Sequence, residues 1–498
     1  TVPITGPRTR DVYKTIGRPN ETIKESLSLS FSPMESAENP SIQYSVNSPD
    51  STSDSEEGRP KFLIIFAGYG RFHYKLLFLC GWAVASDSIE VLCVSFLLPS
   101  AECDLKLTSI DKGWLNAIIF VGMMVGGYVW GALADIQGRR AILMFSLALN
   151  GLAALASSCS QTFWLFLLLR FFSGVGVGGS VPVIFSYFVE FQPKDRRGRM
   201  ISLLATFWMG GNIIAAAWAV IPHKGLGYFS PEFTYDSWRI FIALCTIPSL
   251  TSALAFVLMP ESPKFLLMVK AFLCKKKFLR NKILIFLSLS SLAFLRFHFS
   301  YYGLFLWFPE LFKRMEEHGG SACDAALYVG NKTVPLIPSN QTCGAPPDAN
   351  VFFEGFLTAI STLPSNIFAI LVMDKIGAKI ILGEMISMGI SGLSVFFIWL
   401  VKNKTQGIIM SCIFSGISNA GWSALDVLSV ECFPTDVRST AMGTGLLMAR
   451  IAAILGNLAF GALVDAQCAV PMLLVAALLC AGGFATLILP NKRMQEID

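Results

Sequence analysis

The chain has 498 residues, of which 53% are hydrophobic and only 15% are charged, and its formal net charge is +5. Its mean hydropathy of +0.58 is too high for a soluble protein of this length, so the composition predicts an integral membrane protein. The cations fall in short loops between apolar runs, where membrane orientation explains them, and nucleic acid is not an expected partner. The scattered cysteines lack metal-ligand spacing, and no paired nucleophile and base or phosphate-cradling loop is present. We therefore expect neither an enzyme nor a bound metal or cofactor.

The first element is a polar tail at residues 1–67. Its stretch from Ser48 to Glu57 is acidic and rich in serine, a composition typical of disorder. We expect a solvated cytoplasmic tail, with phosphorylation of its serines as the alternative. The sequence does not indicate which protein partners the tail has.

Twelve apolar segments follow, each close to the ~20 residues that cross a bilayer. They cover approximately residues 74–98, 113–134, 140–158, 162–186, 201–221, 238–259, 283–308, 351–373, 379–400, 407–430, 440–464 and 469–489. We therefore predict an all-α membrane protein of twelve transmembrane helices in two six-helix pseudo-repeats. The predicted divisions are a first bundle, a short basic linker, a second bundle and a cytoplasmic tail, at residues 68–262, 263–282, 283–489 and 490–498.

Lysines and arginines concentrate in alternate loops, which places those loops and both termini in the cytoplasm. The loop at 309–350 lies on the other side and contains glycosylation sequons at Asn331 and Asn340, and a third sequon at Asn403 also falls on that side. We expect these three asparagines to carry glycans.

Two cysteines, Cys323 and Cys343, share the loop with two of these sequons. A non-cytoplasmic compartment permits a disulfide between them. Cys103, in the first loop on the same side, is the competing partner.

Two charged turns recur along the chain. Asp135 in the turn Gly131–Arg140 is echoed 239 residues later by Asp374, and Glu190 is echoed 241 residues later by Glu431. Matching charged turns in two sets of apolar segments indicate a duplicated secondary transporter.

The turn Gly131–Arg140 resembles the signature loop of the major facilitator superfamily, and Arg170-Phe-Phe-Ser-Gly174-Val-Gly176-Val-Gly178 resembles its fourth-helix motif. The likeness narrows to the synaptic vesicle glycoprotein 2 family and its invertebrate relatives, in the organic-ion and sugar branch, and covers about residues 68–489. It rests on Gly68–Phe72, Asp87–Glu90, Gly122–Gly126, Phe207–Met209, Phe299–Gly303 and Gly421–Leu428. The resemblance implies a facilitator fold that works by alternating access.

The chain departs from that family in two places. The loop at 309–350 is far shorter than the lumenal domain of the vertebrate vesicle glycoproteins, so we expect no large lumenal receptor domain. The central linker at 263–282 is also short for a facilitator, which leaves open whether this product has lost a segment and with it some function.

Asp135, Arg139 and Arg140 suit a charge-assisted latch at a helix end that forms in one conformation and breaks in the other. The alternative is a turn that only sets membrane orientation. Further gating or closing roles are predicted for Arg170, Asp374, the pair Glu190 and Arg197, and the pair Glu431 and Arg438.

Asp87 and Glu90 are three residues apart in the first span and therefore share a helical face. Carboxylates within a membrane are costly unless they face an aqueous cavity, are protonated or meet a cation. With Asp426 they predict a cavity of negative potential that suits an organic cation or proton coupling. The alternative is an internal salt-bridge network with Arg170, Arg296 or Arg450.

Aromatic side chains are the other cavity component. The resemblance implies that Trp208, Tyr301, Tyr302 and Trp422 line the substrate cavity together with Asp426. Their faces and polar edges suit a sugar or an organic cation. Trp307, with Pro309 close behind, is expected near the interface at the end of its span.

The leading prediction is therefore a secondary-active or facilitative transporter of a small polar or cationic organic solute, with protons as the candidate coupling ion. The alternative is a membrane protein that retains the fold but acts in vesicle trafficking or as a binding partner without turnover. Either would reside in the bilayer of a vesicle or of the plasma membrane.

Overall fold

A computed structural model describes residues 70–192, 197–221, 227–230, 233–262, 281–318, 349–368, 380–400, 403–431, 435–465 and 469–486. Within these ranges, several side chains also lie outside the description, among them those of Asp135, Arg197, Asp426, Glu431 and Arg438. The predicted polar tail and central linker fall outside the described residues.

The described chain is almost entirely helical. The first set of helices is α1 Arg71–Leu105, α2 Ser109–Gln137, α3 Arg139–Ser158, α4 Phe163–Glu190, α5 Arg197–Val220, α6 Ser237–Cys245 and α7 Ile247–Phe256. The second set is α8 Asn281–Phe305, α9 Phe308–His318, α10 Ala349–Ile360, α11 Ile380–Leu400, α12 Lys404–Glu431, α13 Thr435–Leu463 and α14 Ala469–Thr486. Each predicted span overlaps one of these helices or, for the sixth, α6 and α7 in succession, and the last residues of the eighth span, 369–373, lie outside the described residues.

Eight helical stretches among the described residues are long and apolar enough to cross a membrane. Two shorter apolar helices, Ile386–Ile398 and Ala469–Gly483, lie within the second set. These lengths fit the predicted multi-pass architecture, since a helix needs about 20 apolar residues to cross the hydrocarbon core.

Local sequence accounts for the connection between α1 and α2. Lys106 ends α1 in the left-handed conformation, with φ 51°. Thr108 then caps α2, because its hydroxyl accepts a hydrogen bond from the Asp111 amide (3.2 Å) while the Asp111 carboxylate accepts one from the Thr108 amide (3.0 Å). This reciprocal capping box satisfies two amides that the first helical turn would otherwise leave unpaired.

One small element departs from the all-helical prediction. Strands β1 Gly227–Ser230 and β2 Phe233–Tyr235 pair antiparallel between α5 and α6. A pair this short depends on its surroundings for stability. The hairpin lies in the connection between α5 and α6 and does not change the helical architecture.

Close helix packing in the first set depends on glycine. A Cβ at Gly126 of α2 would overlap the Val175 carbonyl of α4, and one at Gly178 of α4 would overlap the Met123 carbonyl of α2. Small residues let two helix backbones approach in a membrane, where lipid supplies no hydrophobic drive for association. The glycines of the fourth-helix motif therefore serve packing.

The two sets of helices meet through α2 with α13, α5 with α10, and α1 with α9. At the α2 and α13 crossing, a Cβ at Gly113 would lie 3.0 Å from the Asn457 carbonyl oxygen and 3.2 Å from the Gly461 Cα. We call the end of the molecule that carries Arg139 and Glu190 the Arg139 end, and the opposite end, which carries α9, the Glu310 end. The α2 and α13 crossing lies toward the Glu310 end.

Candidate functional site

At the Arg139 end, Glu261 and Glu190 connect the start of α3, the end of α4 and the chain that follows α7. The Glu261 carboxylate accepts hydrogen bonds from the backbone amides of Arg139 (3.0 Å) and Arg140 (3.1 Å), the first residues of α3. An acidic group at a helix start satisfies unpaired amides and complements the helix dipole. Glu190, at the end of α4, forms an ion pair with the Arg139 side chain and accepts a hydrogen bond from the Ser262 hydroxyl.

Further contacts fix the chain that follows α7 against this end. The Arg140 guanidinium donates hydrogen bonds to the carbonyls of Phe256 (3.2 Å) and Val257 (2.5 Å). The Tyr187 hydroxyl donates one to the Pro260 carbonyl (2.6 Å). All these groups belong to the first set of helices, so the observed network stabilises that set internally.

The predicted latch residues are only partly described. Arg139, Arg140 and Glu190 come together, and Glu190 has Arg139 and Ser262 as described partners. Five other members of the predicted set lie outside the description with their side chains or entirely: Asp135, Arg197, Asp374, Glu431 and Arg438.

Midway along α1, Glu90 is buried and paired. Its carboxylate forms an ion pair with Arg170 of α4 and accepts a hydrogen bond from the Ser173 hydroxyl (2.6 Å). Arg170 is fully buried, lies 5.1 Å from the Phe166 ring centroid and donates a further hydrogen bond to the Cys93 sulfur (3.3 Å). A buried charge persists only with such partners. Glu90 therefore forms the internal salt bridge with Arg170 that was the alternative to a negatively charged cavity.

Asp87, one turn earlier on α1, is also fully buried. Its Oδ2 accepts a hydrogen bond from the Ser180 hydroxyl (2.6 Å), whereas its Oδ1 has no hydrogen-bond partner among the described residues. Arg450 of α13 is near enough to attract this carboxylate and is hydrogen-bonded to the Tyr302 side chain of α8. Arg450 thus approaches Asp87 from the other set of helices, but the two form no ion pair, and Ser180 is the only hydrogen-bond partner of the Asp87 carboxyl side chain among the described residues.

Aromatic rings from α8 and α12 form a cluster beside these charges, which we call the aromatic cluster: Phe297, His298, Tyr301, Tyr302 and Trp422. Trp422 contacts Tyr301 and Tyr302 edge to face, with centroids 5.7 and 5.8 Å apart, and lies 4.5 Å from His298. Phe120 of α2 reaches the cluster from the first set, 4.8 Å from Tyr302. The structure thus assembles three of the four predicted cavity aromatics.

Two tryptophans lie elsewhere. Trp208 of α5 is partly exposed, and its carbonyl accepts a hydrogen bond from the Ser88 hydroxyl of α1 (2.7 Å). Its ring makes no contact with the aromatic cluster among the described residues. Trp307 lies between the end of α8 at Phe305 and the start of α9 at Phe308, which is the end of its span, as expected. Its side chain is fully buried, with its ring centroid 6.0 Å from that of Phe460 of α13. Pro309 fits there because a first helical turn tolerates proline.

Sequence reasoning missed His298, which lies at the centre of the aromatic cluster and is 2% exposed. Its position three and four residues before Tyr301 and Tyr302 places all three on one helical face, and that spacing was a usable signal. Asp426, predicted to join the cavity, has its side chain outside the described residues.

The sequence also did not predict an ionic network at the Glu310 end. We call it the cross-bundle network, and its members are Glu102, Lys112, Glu310, Lys313, Arg314 and Asp465. Lys112 of α2 is almost fully buried and binds Glu310 of α9 (2.7 Å) and Glu102 of α1 (3.0 Å). Glu102 also pairs with Lys313 of α9. The network therefore ties the first set of helices to the second.

The remaining members extend the cross-bundle network to α13. Arg314 binds Glu310 (3.1 Å) and Asp465 (2.9 Å), and donates a hydrogen bond to the Ser109 hydroxyl of α2 (3.0 Å). Burial by itself would raise the pKa of Glu310, but the cations of Lys112, Arg314 and Lys313 outweigh it and hold that pKa below its ordinary value. The carboxylate is therefore ionised in this arrangement.

Other features predicted for this end are partly described. Asn403 is exposed at the start of α12, beside Lys404, which binds Glu354 of α10 (2.7 Å) and Glu316 of α9. Cys103 is disulfide-bonded, and its partner lies outside the described residues. Asn331, Asn340, Cys323 and Cys343 are also outside them, so the choice between the two predicted disulfides stays a prediction.

Comparison with known proteins places this arrangement in a family. Residues 43–283 match the family described as "Sugar (and other) transporter". Synaptic vesicle glycoprotein 2C of Rattus norvegicus is 31% identical over 600 aligned positions that cover 89% of this chain and 82% of the relative. The chain belongs to the synaptic vesicle glycoprotein 2 family of the major facilitator superfamily. Synaptic vesicle glycoprotein 2A of the same species is 30% identical, with 86% of this chain and 79% of the relative covered.

The alignment with synaptic vesicle glycoprotein 2C has more positions, 600, than this chain has residues, 498. The relative therefore carries residues inside the aligned region that this chain lacks. That difference is consistent with the two short loops of the sequence, at 263–282 and 309–350.

Solved structures agree on the fold. The inward-open conformation of the xylose transporter XylE from E. coli matches with a TM-score of 0.63 at 15% identity, over 85% of this chain and 99% of that one. A crystal structure titled D-xylose-proton symporter matches with a TM-score of 0.61, also at 15% identity, over 83% and 97%. Family and fold are therefore those of a multi-pass membrane transporter.

Proposed function

We propose that this member of the synaptic vesicle glycoprotein 2 family transports a small polar organic solute by alternating access. The observation that carries the proposal is the aromatic cluster beside the buried acidic residues Asp87 and Glu90, where the two sets of helices face each other. Facilitators bind their substrates near the bilayer midplane at the interface between repeats.

The charges favour an uncharged solute over a cation. Of the two buried acidic side chains of α1, Glu90 is neutralised by its ion pair with Arg170. Asp87 is fully buried and has no ion-pair partner among the described residues, an environment that disfavours its charged form. The described part of the site therefore lacks the excess negative charge that would select an organic cation. A sugar suits it better, since aromatic faces stack on a sugar ring and polar edges bind its hydroxyl groups.

Proton coupling is the finer part of the proposal. Glu90 is the intramembrane carboxylate that joins α1 to α4 through Arg170, and a change in the charge of this pair would weaken the contact between the two helices. Such a local charge change can bias a two-state conformational equilibrium. The solved D-xylose-proton symporter has the same fold, which makes the coupling a reasonable expectation here.

The cross-bundle network supports alternating access. It joins the two sets of helices at the Glu310 end, whereas the described contacts at the Arg139 end lie within the first set. We propose that the Glu310 end is closed in this conformation and faces away from the cytoplasm, with the Arg139 end cytoplasmic.

Uptake by purified protein in liposomes tests the proposal, with D-xylose, D-glucose and a set of organic cations offered with and without a pH gradient. We expect saturable sugar uptake by the wild type and at least a tenfold loss in Asp87→Asn/Glu90→Gln. The matched control is Asp236→Asn, which removes a carboxylate from the partly exposed start of α6 and should leave uptake unchanged.

A different outcome would change the function. The rival is a vesicle protein that binds a partner without turnover, and the similarity to synaptic vesicle glycoproteins 2C and 2A favours it. Sugar-dependent thermal stabilisation without uptake would support that rival. Uptake of cations alone would overturn the choice of an uncharged solute.

A further inference from the structure

His298 offers a chemical group that the proposed transport function does not yet use. Its Nδ1 lies 2.9 Å from the Phe294 carbonyl oxygen, one turn earlier on α8. A carbonyl oxygen can only accept a hydrogen bond, so Nδ1 carries the proton of that bond. In the neutral imidazole, Nε2 is then an acceptor with a free lone pair.

No described residue satisfies that lone pair. His298 is 2% exposed, and its described contacts besides the Phe294 carbonyl are to the rings of Phe294, Phe297, Tyr302 and Trp422. The Arg450 guanidinium is the nearby charge. Nε2 is not among the fully buried atoms that lack a partner in the described part of the chain, so it is an unused acceptor that a ligand can reach.

Two neighbouring side chains of the aromatic cluster also have polar groups without a described partner. The Tyr301 hydroxyl and the Trp422 indole N–H also make no hydrogen bond with any described residue, although both rings contact the same cluster. An indole N–H only donates, a hydroxyl does both, and His298 Nε2 only accepts. Together they complement a molecule that carries both donor and acceptor groups.

We infer that Nε2 of His298 accepts a hydrogen bond from a hydroxyl or amide N–H of the transported solute. The solute's ring or chain would lie against Tyr301 and Trp422. This inference rests on the proposed transport function and deepens it, because it selects neutral solutes with a donor group at one defined position. His298 is thus a specificity-determining residue. Uncharged polar solutes that lack a donor group at this position should be poor substrates of the transporter.

Two substitutions separate hydrogen bonding from packing. His298→Phe keeps an aromatic ring beside Trp422 but removes the acceptor, whereas His298→Gln retains a polar atom that can reach the position of Nε2. Sugar uptake into liposomes is measured for D-glucose and its 1-, 2-, 3-, 4- and 6-deoxy analogues, with thermal unfolding as the check on folding. We expect His298→Phe to raise KM for D-glucose about tenfold, equivalent to about 1.4 kcal/mol, with little change in kcat.

The analogues give the sharper result. One deoxy sugar should be transported equally well by the wild type and by His298→Phe, because it lacks the hydroxyl that Nε2 would accept from. His298→Gln should stay within about threefold of the wild type for D-glucose, since an amide oxygen restores the acceptor.

The experiment distinguishes failure of the histidine inference from failure of the transport proposal. If the wild type transports D-glucose and His298→Phe matches it on every sugar, the histidine inference is wrong and the transport proposal stands. If the wild type neither transports nor is thermally stabilised by any of these sugars, the sugar proposal is wrong and the role of His298 falls with it.

Discussion

The buried pair of Glu90 and Arg170 stabilises the protein through mutual dependence. Each residue is almost completely removed from solvent, and the Nε and Nη2 of Arg170 have no hydrogen-bond partner among the described residues. Removal of one member of a buried pair leaves an uncompensated charge, which costs about 3–5 kcal/mol, whereas replacement of both by apolar groups is often close to neutral.

We therefore expect strong non-additivity at this pair. Glu90→Leu and Arg170→Met should each lower the apparent melting temperature in detergent well below that of the wild type, and the double variant should recover most of the loss. Differential scanning fluorimetry measures all three beside Asp236→Ala, whose pair with Arg239 is loose and partly exposed and should be worth less than about 1 kcal/mol. Additive losses in the double variant would contradict a coupled pair.

At the scale of elements, α9 is the helix that closes the Glu310 end. Its Glu310 binds α2 through Lys112, while its Glu316 binds α12 through Lys404, so one helix makes ionic contacts both between and within the two sets. The two glutamates differ in surroundings, because the Glu310 side chain is 3% exposed and that of Glu316 is 35% exposed.

This difference gives a matched test of the cross-bundle network. Glu310→Gln should speed amide hydrogen exchange in α9 and at the start of α2 by more than tenfold, because Lys112 loses its nearest carboxylate. Glu316→Gln, on the same helix, should change exchange in α2 by less than threefold. Equal effects of the two variants at the start of α2 would show that the network does not hold the sets together.

The pH dependence of the contact between Glu310 and Lys112 follows from the direction in which the pKa of Glu310 is shifted. The pKa of Glu310 is held below its ordinary value of 4.5, so the contribution of the ionised carboxylate to stability is complete above about that pH. It is lost as the pH falls through the lower pKa of the folded protein. We expect exchange in α9, corrected for intrinsic rates, to be constant between pH 5 and 8 and to rise only in stronger acid. A rise near pH 6 would contradict this assignment.

At the scale of the whole molecule, orientation remains the main prediction to test. The structure places Asn403 near Lys404 and therefore at the Glu310 end. If that end faces away from the cytoplasm, Asn403 is available to the glycosylation machinery.

Endoglycosidase should increase the mobility of the wild type, and the triple variant Asn331→Gln/Asn340→Gln/Asn403→Gln should show no such shift. Asn20→Gln is the matched control, since its sequon lies in the predicted cytoplasmic tail and its loss should change nothing. A remaining shift in the triple variant would overturn the orientation.

The positions of the spans could be predicted from sequence because a helix needs about 20 apolar residues to cross the hydrocarbon core. The ends of α3 at Arg139 and Ser158 lie within a residue of expectation. Partners were harder. The recurring charged motif predicts a pair of Glu190 with Arg197, and the described partners of Glu190 are Arg139 and Ser262. The Arg197 side chain lies outside the described residues, so that pair stays a prediction. The pairing of Lys112 with Glu310 has no signal in the sequence, because only the tertiary arrangement removes the two charges from water.

The glycine crossing of α2 and α13 has a mechanical consequence. Because Gly113 and Gly461 present no side chain, the two helices touch there through their backbones and no interlocked rotamers need to separate when one set turns against the other. If the two sets rock against each other as proposed, they can turn at this contact with little rearrangement of side chains. Resistance to rocking is then concentrated in the charged groups around it, which can be tuned residue by residue without disturbing the surface on which the halves turn.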